Sequence, residues 1–509
     1  MSEKKLEEAT AVVCMEADLK DGRMMEVDVG DHNILLVKCE GEYSAIGNQC
    51  THYGAPLNTV LSGNRVRCPW HGACFNVKTG DMEEYPAMDS LRCHKVKVQD
   101  KKVYVTVNKK ALGQATRLKK MGGRDPEINH TVILLGGICA EVLRQENYGG
   151  RIIMVTREDI LPHDKTRLSK VMNVQRNSIL LRRMEFYQKY DIELWLKKEA
   201  VSVDTEKKKV EFKDGTTECY DQLLIATGCA KGLDSPGVEL GNVLMLETPE
   251  DANRIHNACI GCRTVLVGTS FVMEVASYMI DKASSITIIG FSELPYLKTL
   301  GPEIGKFTMT ILEERGVKFY MNDSIAEIRG EKGKVKDVVL KSGTIVAADV
   351  LVVGIIVPNS EFLQGSAIKM DSKKYVIVDK YMRTNAKDVY CCGDLTSFPL
   401  QMVKNQNVSV AHWQTAQAHR IAALNMLGKE VTLNTVPFYW TVLLGQTIRY
   451  AYGEGYTQLV MKGSFEDMKF LAMYIDGVVV ATAGLNFEPA VSVIAERFAA
   501  GIAITKAEA

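Results

Sequence analysis

Two short loops near the N-terminus each carry one cysteine and one histidine. The first loop reads Cys50-x-His52, and the second reads Cys68-x-x-His71. A Rieske-type [2Fe–2S] cluster needs two cysteines on one iron and two histidines on the other. A structural zinc site more often groups like ligands, with a cysteine pair followed by a histidine pair. The four side chains therefore predict an iron–sulfur cluster that transfers single electrons.

The residues around these loops predict which kind of cluster it is. Respiratory Rieske proteins have a serine and a tyrosine where this chain has Ala73 and Phe75. Because those hydroxyl groups donate to sulfur and stabilise the reduced cluster, their loss predicts a low reduction potential. Such proteins also carry a disulfide beside the cluster. Here Tyr53 and Gly54 follow His52, and Trp70 occupies the other position, so no disulfide is expected there.

Composition narrows the class of protein. Hydrophobic residues make up 46% and charged residues 24% of the 509, which is typical of globular proteins with several domains. The 62 basic and 62 acidic residues balance, so the sequence predicts no nucleic-acid partner. The odd count of 13 cysteines favours a reducing compartment. No signal sequence or apolar run long enough to span a bilayer is visible, so we expect a cytoplasmic protein, with mitochondrial association as the alternative.

Patterns along the chain predict several domains. Residues 1–108 read as short β-strands separated by Gly, Asn and Asp turns, and residues 109–129 read as a basic linker. From Thr131 strands alternate with helices, including ICAEVLRQEN and a longer helix from LSKVMN to RMEFYQKY, which predicts parallel sheets with crossover helices. From about Thr435 strands return, and the chain closes with the helix PAVSVIAERFAA.

Several residues in the middle of the chain suit a flavin site. The segment Cys392-Gly393-Asp394 follows the strand DVYCC, where the aspartate of a two-domain flavoprotein contacts the ribityl chain of FAD. A helix expected near His412 and Trp413 could direct its N–H groups at the flavin ring. Lys170 is a candidate beside the flavin. Taken alone, Gly-Asp is also an ordinary turn, and Lys170 is equally consistent with a solvated helix lysine.

Together these motifs, and the order in which they occur, resemble one family. The cluster loops, LLIATG ending at Gly228, a second strand–helix unit with Glu274, VLVVG, CCGD, HWQTAQA and VPFYWTVLLG occur as in Rieske-containing, apoptosis-inducing-factor-like flavoproteins. These belong to the pyridine nucleotide–disulfide reductase superfamily. The resemblance implies a [2Fe–2S] cluster, FAD and NAD(P)H.

The resemblance also implies a division of the chain into domains. An all-β Rieske domain (1–108) would be followed by a two-dinucleotide-domain α/β reductase and an α+β domain at the C-terminus (431–509). The FAD-binding domain would comprise 130–248 and 351–430, and the NAD(P)-binding domain 249–350.

The glycine-rich phosphate loops depart from the family pattern. The fingerprint G-x-G-x-x-G should follow the first strand, but Gly136-Gly137 lead directly into ICAEVL. In the second unit Gly268 and Glu274 remain, whereas Ser270 replaces the middle glycine. His419 stands in Ala-His-Arg where Gln-Gly-Arg is usual. These changes put dinucleotide binding, and the choice between NADH and NADPH, in question.

Two functions are consistent with this sequence. The leading hypothesis is an oxidoreductase that passes electrons from NAD(P)H through FAD to the cluster, with the histidines exposed towards an unknown electron acceptor. The alternative is a non-enzymatic Rieske protein whose flavoprotein portion is a scaffold for partner binding. The resemblance also implies a pro-apoptotic role. A homo-oligomer is a separate expectation.

Overall fold

The computed structural model of the chain describes residues 8–108, 116–400, 406–409, 415–451 and 455–509. Within residues 8–117 the structure is built of β-strands: β1 (Glu8–Met15), β2 (Arg23–Val29), β3 (His32–Cys39), β4 (Glu42–Gly47), β5 (Leu61–Ser62), β6 (Arg65–Arg67), β7 (Cys74–Asn76), β8 (Met82–Glu84), β9 (Ser90–Leu91), β10 (Cys93–Gln99), β11 (Lys102–Asn108) and β12 (Thr116–Arg117). A single 3-10 turn, Glu16–Asp18, is the helical element described in this range.

These strands form two main sheets, and the smaller sheet carries the Cys/His loops. Strands β1-β11-β10-β4-β3-β2 form the larger sheet, β5-β6-β7-β8 form the smaller one, and β12 pairs with β9. The first Cys/His loop connects β4 to β5, and the second connects β6 to β7. Fully buried Leu35, Ile46, Val66 and Phe75 pack together beneath the loops. The loops therefore rest on a closed apolar core.

The middle of the chain alternates strands and helices. In chain order these elements are β13 (Thr131–Leu135), α1 (Cys139–Gln145), β14 (Arg151–Val155), α2 (Met184–Lys189), β15 (Ile192–Trp195), β16 (Ala200–Asp204), β17 (Lys209–Phe212), β18 (Thr217–Cys219), β19 (Gln222–Ile225), β20 (Cys229–Lys231), β21 (Val243–Met245), α3 (Pro249–Cys259), β22 (Arg263–Val267), α4 (Phe271–Met279), β23 (Ser285–Ile289), α5 (Leu297–Glu313), β24 (Lys318–Tyr320), β25 (Ile325–Glu331), β26 (Lys334–Leu340), β27 (Ile345–Ala347), β28 (Val350–Val353), β29 (Ile356–Pro358), β30 (Val376–Ile377), β31 (Val389–Cys391), β32 (Thr396–Leu400), β33 (Gln406–Ser409) and α6 (Thr415–Met426). Short 3-10 turns lie at Lys165–Arg167, Arg176–Ile179 and Glu361–Leu363.

Two parallel five-stranded sheets dominate this region. The first has the order β15-β14-β13-β19-β31, and the second β21-β28-β22-β23-β24. Their strands are continuous apolar runs such as TVILL in β13, because helices and small antiparallel sheets cover both faces. The expected α/β architecture is confirmed. The long helix expected after Leu168 is wrong: only α2 and two 3-10 turns form between residues 165 and 189.

The last part of the chain is an antiparallel sheet with one helix. Its elements are β34 (Phe438–Leu443), β35 (Gln446–Ala451), β36 (Gln458–Ser464), β37 (Lys469–Asp476), β38 (Val478–Leu485) and α7 (Ala490–Ala499). Phe470 and Tyr474 of this sheet share a core with Met273 of α4 and Ile304 of α5. The C-terminal sheet is thus fused to the second parallel sheet. Among the described residues, no helix combines the length and apolar character needed to cross a bilayer.

A buried ion network joins the N-terminal strands to the last helix. Arg67, at the end of β6, is fully buried and lies 2.5 Å from Glu496 of α7 and 3.0 Å from Glu84 of β8. Its third nitrogen donates to the carbonyl of Gly72 at 2.9 Å. The two arginine cations Arg67 and Arg65 outweigh burial and hold the pKa of Glu84 below its ordinary value. Because these charges lose water on burial, Arg67 and Glu496 each depend on a partner in the other region.

Replacing Arg67 tests this junction. Arg67→Met leaves the buried Glu84 and Glu496 with only the partly exposed Arg65 as a cation, so we expect a loss of about 3 kcal/mol in unfolding free energy. The loss is measured by thermal unfolding that follows the visible absorbance of the cluster. Arg263→Met removes a half-exposed pair with Asp349 and should cost no more than about 1 kcal/mol. Equal losses in the two variants would contradict a structural role for the network.

Candidate cluster site and dinucleotide sites

The two Cys/His loops have the same backbone hydrogen-bond pattern. In each loop the cysteine N–H donates to a carbonyl five residues later, and its carbonyl accepts from an N–H four residues later. The bonds are Cys50 N to Ala55 O at 2.8 Å, Gly54 N to Cys50 O at 2.8 Å, Cys68 N to Ala73 O at 2.8 Å and Gly72 N to Cys68 O at 3.1 Å. The loops are therefore a matched pair, although one ligand spacing is a residue longer than the other.

A glycine closes each loop. Gly54 and Gly72 have φ angles of +77° and +78°, in the left-handed region that side chains disfavour. A Cβ atom on Gly72 would also lie 2.7 Å from the ring of Phe438 in β34. Gly72 is thus required for two reasons: its backbone angle disfavours a side chain, and β34 of the C-terminal sheet leaves no room for a Cβ atom.

The two histidines face each other at a distance close to that between two ligands of one metal ion. Nδ1 of His52 lies 3.1 Å from Nδ1 of His71. Nitrogen ligands about 2.1 Å from one tetrahedral ion lie about 3.4 Å apart. Burial lowers the pKa of His52 to about 4, and burial with nearby cations lowers that of His71 to about 2. Both rings are therefore neutral at physiological pH, which is the form that binds metal.

The two cysteine thiols are hydrogen-bonded to each other and buried. The bond from Cys50, the backbone N–H groups of Trp70 and His71 and the charge of Arg449 together lower the pKa of Cys68 to about 7. The same thiol–thiol bond, together with burial, raises the pKa of Cys50. N–H groups directed at sulfur stabilise negative charge there, as a cluster requires.

These pairs fit a two-iron cluster. No three His, Cys, Asp or Glu side chains of the described ranges surround one ion-sized position, and a [2Fe–2S] centre needs only two protein ligands at each iron. Ala73 and Phe75 are fully buried and bring no hydroxyl group to the sulfurs. All thirteen cysteines, each within the described residues, are free thiols. The residues present fit a [2Fe–2S] cluster held without a disulfide.

The C-terminal sheet covers the histidine pair. The ring of Trp440 in β34 lies 4.1 Å from the ring of His71 and 6.0 Å from that of His52, between centroids. Its neighbour across the sheet, Arg449 of β35, donates to the carbonyl of Trp70 at 2.9 Å. The histidines are consequently half-buried rather than exposed, and they face the rest of the chain.

Lys170 and Glu274 form one ion pair. Lys170 Nζ lies 2.9 Å from the Glu274 carboxylate, which is buried and also accepts from Ser169. The other carboxylate oxygen accepts from Thr441 Oγ1 at 2.9 Å and Val442 N at 3.1 Å. Glu274 therefore joins the 3-10 segment, helix α4 and the C-terminal sheet beside Trp440. Sequence patterns select the two residues separately and give no sign of their pairing.

The remaining candidates of the first sheet lie just beyond the carboxyl ends of neighbouring strands. Gly136 and Gly137 follow β13, Gly228 lies just after β19, and Gly393-Asp394 follow β31. That edge of a parallel sheet is where open α/β folds bind dinucleotides. The carbonyl of Gly393 accepts from the N–H and hydroxyl of Thr396, which fixes the turn carrying Asp394. His412 and Trp413 lie outside the described residues.

The phosphate end of this edge does not fit FAD as it stands. A Cβ atom on Gly137 would lie 2.0 Å from Nε2 of His419, so the imidazole lies against the glycine where a pyrophosphate needs open backbone. Helix α1 has only seven residues, and its first turn contains Glu141, a buried acid paired with Arg182 at 2.8 Å. The short helix therefore offers its first turn to a carboxylate that Arg182 already neutralises. The pyrophosphate end of this sheet edge therefore does not fit FAD in the arrangement seen here.

The second glycine loop is tight but less obstructed. Gly268 follows β22 with φ of +125°, and a Cβ there would lie 3.3 Å from the carbonyl of Gly354 after β28. Ser270 precedes α4 and makes no side-chain cap to the helix. The shortened sequence therefore keeps the close contact between strand ends that the fingerprint glycine provides.

Loss of a candidate ligand should abolish the cluster. Cys68→Ala removes one of two thiolates on the same iron, so we expect the purified protein to lose labile sulfide and its visible iron–sulfur absorbance. Cys93→Ala alters an exposed thiol outside the loops and should retain both. Full sulfide content in Cys68→Ala would exclude the ligand set.

Removing the His419 imidazole should open the pyrophosphate end of the FAD site beside Gly137. With His419→Ala we expect FAD to bind about tenfold more tightly, since backbone N–H groups could then reach the charged phosphate. Quenching of flavin fluorescence on titration measures the change. His256→Ala, on helix α3, is the matched control. Equal affinities in wild type and His419→Ala would show that the contact is no obstacle.

Two families of known proteins match the chain. Residues 136–419 match the pyridine nucleotide-disulphide oxidoreductase family, and residues 9–95 match the Rieske [2Fe-2S] domain. Apoptosis-inducing factor 3 of Homo sapiens is 44% identical, over 98% of this chain and 85% of its own length. Rubredoxin-NAD(+) reductase of Pseudomonas putida is 30% identical, over 62% of this chain and 85% of its own length.

A solved structure has the same fold over about three quarters of the chain. A ferredoxin reductase from Rhodopseudomonas palustris superposes with a TM-score of 0.70 at 24% identity, covering 74% of this chain and 96% of its own. The two family matches indicate a [2Fe–2S] cluster, FAD and NAD(P)H as cofactors. The chain belongs to the pyridine nucleotide-disulphide oxidoreductase family and also carries a Rieske [2Fe-2S] domain at residues 9–95.

Proposed function

We propose that this protein is an oxidoreductase that passes electrons from NAD(P)H through FAD to a Rieske cluster and on to an acceptor. The observation that carries the proposal is the position of the histidine pair. His71 lies against Trp440 of the C-terminal sheet, and His52 stacks on Tyr53, whose hydroxyl donates to Asp164 in the reductase part of the chain, residues 136–419. FAD, when bound, accepts a hydride and releases single electrons. The Rieske region then occupies the place of a separate electron carrier, such as the rubredoxin in the name of the Pseudomonas relative.

In this proposal the cluster is held by Cys50, Cys68, His52 and His71. The neutral imidazoles bind one iron, and the buried sulfurs, each approached by backbone N–H groups, bind the other. With no hydroxyl donor from positions 73 and 75, the cluster has a low reduction potential. That potential suits a cluster reduced by a flavin.

The reductase residues have distinct proposed roles. Asp394 would hold the ribityl chain at the end of β31, with Gly393 allowing its close approach. The Lys170–Glu274 pair would border the flavin ring, where the ammonium group stabilises negative charge. Gly268 would allow the nicotinamide dinucleotide to approach α4. The domain limits predicted from the sequence carry over unchanged, with 130–248 and 351–430 as the FAD-binding domain and 249–350 as the NAD(P)-binding domain.

A second function is favoured by one contact. Because His419 lies against Gly137, the pyrophosphate end of the FAD site is closed as it stands. A chain that fails to bind FAD would be a Rieske protein whose reductase part serves as a scaffold for partner binding. The apoptotic role in the human relative's name falls under this alternative. The cytoplasmic location and the homo-oligomer stay predictions.

The two functions differ in flavin content and in their response to NADH. The oxidoreductase function predicts iron, labile sulfide and FAD in a ratio of about two irons and two sulfides per flavin, with both chromophores bleached by NADH under anaerobic conditions, whereas the scaffold function predicts the cluster without FAD. Adding FAD before the NADH tests for flavin lost during purification. A complete cluster that NADH leaves oxidised, even with added FAD, would contradict the oxidoreductase and support the scaffold.

A further inference from the structure

The histidine side of the cluster site is held to the reductase part by two arms. Each arm begins at one of the candidate ligand rings, His52 or His71, and ends at the segment between residues 164 and 170. The sequence of this segment, DKTRLSK, gives no indication that its residues contact either the Cys/His loops or the C-terminal sheet. Both arms depend on contacts across more than 100 positions of the chain.

The first arm passes through Tyr53. Its ring stacks on His52, with centroids 3.9 Å apart and planes inclined by 24°. Its hydroxyl donates to Oδ2 of Asp164 at 2.5 Å. The other oxygen of Asp164 accepts from the N–H of Thr166 at 3.0 Å, which fixes the carboxylate at the start of a 3-10 turn. The orientation of the first imidazole is thus tied to a carboxylate outside the Rieske region.

The second arm passes through Trp440. Its ring covers His71, and the next two residues of β34, Thr441 and Val442, bond to the carboxylate of Glu274. Glu274 in turn pairs with Lys170, six residues after Asp164. The two arms therefore meet in one short segment, and the cluster edge lies between them.

We propose that Asp164 is a positioning residue for electron transfer: through Tyr53 it holds the His52 imidazole, and with it the histidine edge of the cluster, in place against the reductase part. The inference rests on the proposed function, because the electron donor is the reductase part. NAD(P)H would be the source: its oxidation to NAD(P)+ and a proton would supply two electrons, which would enter the cluster one at a time, each reducing one ferric ion to ferrous, with the external acceptor reoxidising the cluster between them. No bond of Asp164 or Tyr53 forms or breaks in that step.

Four variants distinguish a role in positioning the His52 ring from a contact that only stabilises the packing of the two regions. Tyr53→Phe keeps the stacked ring and loses the hydroxyl, Asp164→Ala loses the acceptor, and Asp164→Asn keeps an acceptor oxygen. The double variant of Tyr53→Phe with Asp164→Ala completes a mutant cycle. Asp159→Asn is the matched control, since Asp159 precedes the same segment and pairs with Arg176 away from the cluster.

Two readouts apply to each variant. The first is the EPR spectrum and midpoint potential of the cluster reduced by dithionite, which does not depend on flavin or NADH. The second is the single-turnover rate of cluster reduction after mixing with NADH. We expect altered EPR line shape and about tenfold slower reduction in Tyr53→Phe and Asp164→Ala, which is the factor a hydrogen bond to a carboxylate provides.

The pattern among variants decides the proposal. Support requires that Asp164→Asn restore most of both readouts, and that the double variant be no worse than either single one. Wild-type behaviour in Asp164→Ala, or additive effects in the double variant, would overturn it. If NADH fails to reduce the wild-type cluster, the proposed function fails, while the EPR comparison still shows whether Asp164 holds the histidine edge.

Discussion

The buried pairing of Arg67 with Glu84 and Glu496 determines how the two ends of this chain fit together. A buried guanidinium and buried carboxylates are stable only when they are paired with opposite charge. One of the two carboxylates, Glu496, belongs to the last helix. Because Arg67 also donates to the carbonyl of Gly72, the same network holds the second cluster loop. The Rieske region is therefore fixed on the C-terminal sheet, and its cluster site has one orientation towards the reductase part.

That orientation decides what the histidines can do. A cluster at the tip of a free domain would exchange electrons with partners in solution. Here Trp440 covers the imidazoles, and Tyr53 is bonded to Asp164 of the reductase part. In the proposed function the histidine pair is thus an internal junction at which electrons would enter from the same chain. An external acceptor has to approach from elsewhere, and the exposed indole of Trp70, edge-on to His71, lies next to the site.

Local patterns predict the parts of this structure that local geometry controls. The cluster loops could be identified because ligands, closing glycine and alanine lie within six residues of one another. Parallel strands could be identified from apolar runs such as TVILL. The pairing of Lys170 with Glu274, across 104 positions, leaves no local trace. Nor does the approach of His419 to Gly137, since it requires α6 to pack on a shortened α1. The missing glycines indicate that the first phosphate loop is altered, but only the structure shows that the His419 imidazole occupies the space beside Gly137.

The central claim is that the cluster receives its electrons from within one chain through a fixed junction. The most direct test mixes the FAD-loaded protein with excess NADH and follows the cluster absorbance at protein concentrations that span about tenfold. A fixed internal junction predicts one first-order rate constant at every concentration. A rate that rises in proportion to protein concentration would place the transfer between molecules and contradict the account.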